Sequence, residues 1–115
     1  MNEDLMIFER KDHAVVSSRV IAERFGKQHQ HVTQAVENLI SENPLVRNMF
    51  IKSRYETDRG RTYKEYLMNR DGFSLLVMGF TGPEALEWKL KYINAFNRME
   101  EFIRERKSTE WLMTR

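Results

Sequence analysis

The sequence predicts an α+β fold, a winged helix-turn-helix-like domain with a small antiparallel sheet and a long C-terminal helix. Three patterns support this prediction. Residues 17–40 form two amphipathic helical segments joined at Gly26, residues 50–68 form a hairpin pattern around Asp58-Arg59-Gly60, and residues 84–107 form an uninterrupted helical pattern. Two short helices joined by a tight turn are the layout of a DNA-reading helix-turn-helix.

The first of the two helices is predicted from its cap and from the spacing that follows it. Ser17 or Ser18 can cap its start by accepting a backbone N–H, and Gly26 supplies the permissive backbone of the turn. Ala22 precedes Gly26 by four residues and Val32 follows it by six, which suits close packing of two helices. An ordinary helical hairpin has the same spacing, so this segment alone leaves both alternatives open.

The second helix, over about residues 29–41, is the predicted recognition helix. Apolar residues recur at positions 32, 35, 36 and 39, so the polar residues collect on the opposite face. Side-chain amides bond adenine through two atoms, while His and Thr add single contacts. His29 is expected to pack or cap on the inward side, and Glu37 either accepts from cytosine or repels phosphate. The predicted DNA base-reading residues are Gln28, Gln30, His31, Thr33 and Gln34.

The hairpin over residues 50–68 is predicted to be a basic wing. Residues 17–70 carry ten Lys and Arg against six Asp and Glu, whereas residues 1–16 carry two against four. Cations on such a hairpin contact the sugar-phosphate backbone or enter a minor groove. The alternation of Tyr55, Tyr63, Tyr66 and Leu67 does not indicate which face is buried. The predicted phosphate or minor-groove residues are Lys27, Lys52, Arg54, Arg59, Arg61 and Lys64.

The segments around this unit predict a further hairpin and a further helix. A small hairpin is expected over residues 5–17, around Arg10-Lys11-Asp12. The sequence FSLLVMGF, residues 73–80, predicts a buried helix that Asn69 or Asp71 can cap, and Thr81-Gly82-Pro83 ends it. Residues 45–49 suit either a helical turn or a loop.

The long helix over residues 84–107 carries an aromatic stripe at three- and four-residue steps. Its length of about 36 Å exceeds what a small three-helix core covers, so we expect part of it to protrude. The stripe then forms a dimer or partner face, or it packs on the FSLLVMGF helix within one chain. Its residues are Trp88, Tyr92, Phe96, Met99 and Ile103.

Composition limits the other classes of protein. The chain has 115 residues and a net charge of +2, which suits one domain over residues 1–107 followed by a tail over residues 108–115. It contains no cysteine and no apolar run of membrane-spanning length, so we expect a cytoplasmic protein with no membrane contact. The three histidines do not suggest a metal site, and we expect no cofactor and no enzymatic activity.

Residues 68–101, MNRDGFSLLVMGFTGPEALEWKLKYINAFNRMEE, resemble the phage regulatory protein Rha family. The segments VSSRVIAERFGKQHQHVTQAVENLI and GRTYKEYLMNRDGF are also similar to that family. The resemblance implies a DNA-associated regulator of temperate phages and prophages, related to phage antirepressor domains and linked with growth in bacterial hosts lacking integration host factor. It does not imply a defined set of DNA-contacting residues, and many relatives carry an added C-terminal domain.

These observations lead to two hypotheses about function. The first is a regulator that binds double-stranded DNA with a sequence preference through the recognition helix and the wing, and that forms a homodimer. The second is an antirepressor-type protein-protein module, which acts on a phage repressor or a host regulatory protein through the long C-terminal helix.

Overall fold

The fold is described from a computed structural model, which covers the backbone of residues 4–113 and the side chains of residues 4–109. Short helices and strands alternate along the chain, and a long helix closes it. In chain order the elements are β1 Phe8–Arg10, β2 His13–Ser17, α1 Ser18–Arg24, α2 His29–Glu42, a 3-10 helix Pro44–Met49, β3 Phe50–Glu56, β4 Thr62–Met68, α3 Arg70–Val77 and α4 Pro83–Met113. The predicted α+β class, small antiparallel sheet and long C-terminal helix are confirmed.

The four strands form one antiparallel sheet in the order β1-β2-β4-β3. Lys11 and Asp12 join β1 to β2 with φ angles of +52° and +68°, the backbone of a tight two-residue hairpin turn. The predicted N-terminal hairpin is therefore confirmed. One face of the sheet supplies Ala14, Val16, Tyr66, Met68 and Phe50 to the hydrophobic core, which lies between this face and the helices.

Local chemistry places α1 and α2 as the sequence predicts. The Ser17 hydroxyl accepts the Arg19 N–H at 3.1 Å and so caps α1, as expected. Gly26 has a φ of +66°, which glycine adopts without strain, and it redirects the chain into α2. Ile21 of α1 and Val32 and Val36 of α2 are buried in the same hydrophobic core.

The FSLLVMGF segment lies largely within α3, and its predicted cap is present. The Asn69 side chain accepts the Gly72 N–H at 2.9 Å, which satisfies a backbone donor at the helix start. Gly72 also allows close packing, because a Cβ there would lie 2.8 Å from the Met49 carbonyl oxygen. Residues 45–49, for which two alternatives were open, form most of the 3-10 helix.

The long helix differs from its prediction in length. α4 begins at Pro83, which suits the first turn of a helix, and continues to Met113 rather than ending at residue 107. The backbone of residues 108–113 is thus helical, while residues 114–115 lie outside the described part of the chain. Among the residues that the structure describes, no helix combines the length and apolar character that a membrane span requires.

The aromatic stripe of α4 packs inside the chain, which is the second of the two alternatives that the sequence left open, so its buried rings are not exposed as a dimer or partner face. Phe73 of α3 contacts two of its rings, with centroid distances of 5.1 Å to Tyr92 and 5.6 Å to Phe96. Burial of these rings against α3 decides between the two alternatives, because a buried side chain cannot contact a partner without unfolding. Tyr92, Phe96 and Ile103 are at most 4% exposed, and Trp88 and Met99 pack partly buried against the same core.

A different face of α4 is apolar and exposed. Leu86 and Leu90 are 57% and 56% exposed, and Ile93 is 38% exposed. They recur at four- and three-residue steps, so they share one side of the helix. Met78, at the end of α3, lines a shallow cavity of about 140 Å³ together with Ile93. The long helix therefore keeps an apolar surface, although it is not the predicted one.

Candidate nucleic-acid interface

The polar face of α2 carries a row of exposed amide side chains. Gln30, Gln34 and Asn38 are all exposed and follow one another at four-residue steps, with exposed His31 beside them. The Gln34 amide nitrogen donates to the Asn38 side-chain oxygen at 3.0 Å. Sequence reasoning missed Asn38, although its spacing of four from Gln34 was the signal that could have found it.

The residues before α2 are also exposed. Lys27 follows the turn at Gly26, and its backbone N–H donates to the Ala22 carbonyl at 2.8 Å. Gln28 is the N-cap residue, and its side chain makes no capping hydrogen bond to the helix. Both side chains are therefore positioned at the start of α2 and reach solvent.

Thr33 does not belong to the exposed face, so its assignment as a base-reading residue was wrong. Its side chain is 6% exposed, and its hydroxyl donates to the Gln30 carbonyl at 3.0 Å. The position directly follows buried Val32 and lies at the edge of the apolar stripe, which the packing of α2 covers. A side chain placed there cannot reach a base edge.

His29, the first residue of α2, links this helix to α1 and to the hairpin. The Ser18 hydroxyl accepts the Tyr66 N–H at 3.0 Å and lies 2.9 Å from the His29 Nε2 atom. Because the hydroxyl has one proton, the arrangement is satisfied when that proton is donated to an unprotonated Nε2. Burial lowers the pKa of His29, the Arg19 cation lowers it further, and Glu65 opposes the shift. The expectation that His29 packs or caps on the inward side agrees with these contacts.

The register of the β3–β4 hairpin puts three cations on one face. Lys52 pairs with Tyr66, and Arg54 pairs with Lys64, so all four side chains stand on the same side of the hairpin. The Tyr66 hydroxyl donates to Glu37 of α2 at 2.9 Å, which identifies this side as the one that adjoins α2. The amide row and the hairpin cations therefore belong to one continuous surface.

Glu37 is the contact point between α2 and that cationic face. Lys64 donates to its carboxylate at 2.6 Å, and the Lys64 and Glu37 side chains are 47% and 30% exposed. The hydrogen bond from Lys64 lowers the pKa of Glu37, with further lowering from Tyr66 and from the charge of Lys52. Burial and the neighbouring carboxylate raise the pKa of Tyr66 to about 12.

The other side of the hairpin explains why its sequence alternation was ambiguous. Tyr55 and Tyr63 pair across the strands on that side, with ring centroids 5.7 Å apart, and the Arg19 guanidinium lies 3.7 Å above the Tyr55 ring. Leu67 is buried on that side while Tyr66 is buried on the α2 side. Both sides of the hairpin are thus partly covered, which no single alternation phase can describe.

The tip of the hairpin carries its two remaining predicted cations. Arg59 and Arg61 are exposed on either side of Gly60, whose φ of +80° closes the turn. The Thr57 N–H donates to the Arg61 carbonyl at 2.8 Å, so the turn is held by a backbone hydrogen bond. The turn signal at Asp58-Arg59-Gly60 is confirmed. Within the part of the chain that the structure describes, no three His, Asp or Glu side chains come together as a metal site.

Comparison with known proteins shows the family to which the chain is similar. The sequence model of the phage regulatory protein Rha family matches residues 16–101 of the chain. A Haemophilus influenzae protein is 31% identical over 106 residues, which cover 90% of this chain and 61% of the relative. YoqD, a protein of the SPbeta prophage of Bacillus subtilis that is named as a candidate antirepressor, is 26% identical over 112 residues, or 94% of this chain and 45% of the relative.

A third relative comes from a phage. A 22.8 kDa protein of Salmonella phage P22 is 39% identical over 88 residues, which cover 74% of this chain and 44% of the relative. The chain thus spans between 44% and 61% of the length of these relatives. No solved structure is significantly similar to it. The family match contains α1, α2 and the hairpin, and we conclude that the chain belongs to the phage regulatory protein Rha family.

Proposed function

We propose that the chain is a phage or prophage regulator that binds double-stranded DNA as a winged helix-turn-helix, with α2 as the recognition helix and β3–β4 as the wing. The observation that carries this proposal is the continuity of the α2 amide row with the cationic hairpin face, joined where Tyr66 contacts Glu37. A major groove admits a helix with polar side chains, and adjacent phosphates attract cations.

The base contacts are assigned to the exposed side chains at the start and on the polar face of α2. Gln30 and Gln34 each carry an amide that suits the N6 and N7 atoms of adenine. Asn38 joins this group because it is exposed and bonded to Gln34. Gln28 and His31 flank the row at the N-terminal end of the helix, where recognition helices commonly contact bases.

The phosphate contacts are assigned to the exposed cations around that row. Lys52 and Arg54 stand on the hairpin side that faces α2, and Lys27 stands at the helix start. Arg59 and Arg61, at the hairpin tip, suit the backbone or a narrow minor groove. Contacts of this kind fix orientation on the duplex and make affinity depend on salt, whereas they carry little sequence information.

Two double variants separate base contacts from phosphate contacts. Gln30→Ala with Gln34→Ala should reduce the preference for a selected duplex over a random one, because it removes the groove-facing amides. Arg59→Ala with Arg61→Ala should weaken both duplexes alike and make the log-log salt dependence shallower by about 1–2, because each phosphate that a cation neutralises accounts for roughly 0.9 of that slope. Fluorescence anisotropy across salt concentrations measures both effects.

The matched control for the cation variant is Arg98→Ala with Arg104→Ala, which removes the same charge from exposed positions on α4. It should leave the salt slope unchanged. If the glutamine variant instead loses affinity equally on every duplex, the assignment of base contacts to α2 is refuted. If the control variant lowers the slope as much as the tip variant does, the hairpin has no special role.

A second candidate function is an antirepressor-type module that binds a regulatory protein. The exposed row of Leu86, Leu90 and Ile93, with Met78 beside it, favours this candidate, because contiguous exposed apolar side chains suit protein contact. YoqD is named as a candidate antirepressor, which supports the same direction. A dimer through this row would also serve DNA binding, since two copies suit symmetric half-sites.

Light scattering after size exclusion tests the use of that row. If the unaltered chain is a dimer and the double variant Leu86→Glu with Leu90→Glu is a monomer, the row mediates self-association. If both chains are monomers, the row is available to a different protein. Binding to a co-expressed phage repressor by the unaltered chain, and loss of that binding in the same variant, would support the antirepressor function. Retained repressor binding by the variant would exclude this row as the partner face.

We further propose that the chain acts in the cytoplasm of a bacterial host and has no enzymatic activity. Its membership of a phage regulatory family and its similarity to prophage and phage proteins support both parts. Fractionation of infected cells tests the location.

A further inference from the structure

Glu37 is an acidic side chain within the proposed duplex-binding surface. It lies on α2 three residues after Gln34, and its side chain is 30% exposed. A carboxylate at this position repels phosphate, so its presence opposes the attraction that the surrounding cations provide. Its contacts indicate what it does there.

Three groups of the hairpin converge on this carboxylate. The Lys64 ammonium lies 2.6 Å from Oε2, and the Tyr66 hydroxyl donates to the same oxygen at 2.9 Å. Lys52 adds a favourable charge interaction, and together these groups keep the pKa of Glu37 below its usual value, so the carboxylate is ionised at neutral pH. Tyr66 is 6% exposed, which fixes the position of its hydroxyl beside α2.

Lys64 therefore has a partner within the chain that suits its charge. The register also sets Lys64 opposite Arg54, and like charges in that arrangement repel one another. Glu37 offsets this repulsion by neutralising Lys64. If Lys64 contacts a phosphate while it stays on the carboxylate, the phosphate lies close to the negative charge of Glu37; if Lys64 leaves, the free energy of the ion pair is lost. In both cases the cost is subtracted from the free energy of binding.

We propose that Glu37 is a positioning residue that holds Lys64 against α2 and away from the sugar-phosphate backbone, so that the chain binds every duplex less tightly than its cations allow. The inference rests on the proposed DNA-binding function. The amides of α2 keep their own contacts in this arrangement, so base contacts supply a larger share of the binding free energy than they would if Lys64 were free.

The test is Glu37→Gln, measured on a random-sequence duplex by fluorescence anisotropy. The glutamine oxygen still accepts the Tyr66 hydroxyl, so the contact between helix and hairpin persists. Release of Lys64 should add about one phosphate contact, which steepens the log-log salt slope by about 0.9. If the added contact contributes nothing at about 1 M salt, that slope makes the variant bind about fivefold tighter at about 150 mM salt and about fifteenfold tighter at about 50 mM.

Two further variants distinguish the proposal from a purely structural role. Glu101→Gln makes the same charge change at an exposed position on α4, outside the proposed duplex-binding surface, and it should change affinity by less than about twofold because solvent-exposed charges away from the duplex are screened. Lys64→Met should cancel the gain in the Glu37→Gln background. In the unsubstituted chain it should weaken binding, because Glu37 is left without the cation that neutralises it. A structural role would predict loss of affinity in Glu37→Gln, with no dependence on Lys64.

Different experimental results would refute the proposed function and this further inference. If the unsubstituted chain binds no duplex at any salt concentration, the proposed function fails and this inference fails with it. If the unsubstituted chain binds but Glu37→Gln, folded by circular dichroism, gains neither affinity nor slope, then this inference alone is overturned. The same holds if Lys64→Met leaves the gain intact.

Discussion

Ser18 should be one of the most sensitive polar positions in the domain, because a single buried hydroxyl joins three elements. It is 0% exposed, it accepts the Tyr66 N–H of β4 at 3.0 Å, and it lies 2.9 Å from Nε2 of His29 in α2. Replacement by alanine removes both interactions, and the small space left by one hydroxyl does not admit a water molecule without rearrangement.

The magnitude of the loss follows from these two hydrogen bonds. A buried polar group left without a partner costs about 1–3 kcal/mol, and the Tyr66 N–H and the His29 ring nitrogen would each be left in that state. Alanine recovers up to about 0.5 kcal/mol because it is a better helix former than serine at the first position of α1. The His29 contact is only part-buried, so its share lies at the lower end of that range, about 1 kcal/mol. We therefore expect Ser18→Ala to lower the free energy of unfolding by about 2–4 kcal/mol.

Urea unfolding followed by far-UV circular dichroism at pH 7 measures this loss. Ser74→Ala is the matched control, since Ser74 is also a helical serine but its hydroxyl donates to the Arg70 carbonyl of its own helix at 2.9 Å on the surface. The control should change stability by less than about 0.5 kcal/mol. A loss below about 1 kcal/mol for Ser18→Ala, with an unchanged m-value, would refute the bridging role of this hydroxyl.

Three further predictions concern pH, backbone packing and the core. The folded pKa of His29 lies below its unfolded value of 6.5, so the unfolded chain binds more protons and stability should fall as pH drops below about 7. His29→Gln should therefore flatten the pH dependence of the urea midpoint between about pH 7 and 5. Gly72→Ala should destabilise by about 1–3 kcal/mol in the same assay because its Cβ would press on a backbone carbonyl, whereas Gly79→Ala, with open space around it, should be neutral or stabilising. Phe96→Ala should cost about 3–5 kcal/mol and leave the molar mass by light scattering unchanged, because the ring lies in the core; a change in oligomeric state would contradict that placement.

Features governed by local chemistry could be predicted from the sequence. The cap at Ser17, the turn at Gly26 and the cap at Asn69 depend on residues within a few positions of one another, and all three are present. The β3–β4 hairpin was predicted for the same reason, since Asp58-Arg59-Gly60 supplies a turn between two strand-forming segments.

Features that depend on what covers a surface could not be predicted. Periodicity identified Tyr92 and Phe96 as one apolar stripe, but it does not tell whether a second chain or α3 covers that stripe. Sequence reasoning did not single out Leu86 and Leu90, because the aromatic stripe is larger. Only the packing of α3 on α4 reveals which of the two stripes stays exposed.

Exposure along α2 was predicted for most of the candidate site and was wrong at one position, because it also depends on what covers each side chain. The amides at Gln30 and Gln34 are exposed as helical spacing required, whereas Thr33 sits at the edge of the apolar stripe and is buried there. The pairing of Lys64 with Glu37 joins residues 27 positions apart, and it follows from strand register and helix placement rather than from local spacing. No single sequence pattern contains that information.

In-vitro selection from a randomised duplex library at about 150 mM salt tests the central proposal most directly, because non-specific phosphate attraction is suppressed there. We predict an enriched motif that contains adenines opposite the α2 amides and that is lost in Gln30→Ala with Gln34→Ala. No enrichment, with binding that disappears as salt rises, would contradict sequence-preferring DNA binding and would support the protein-binding antirepressor function instead.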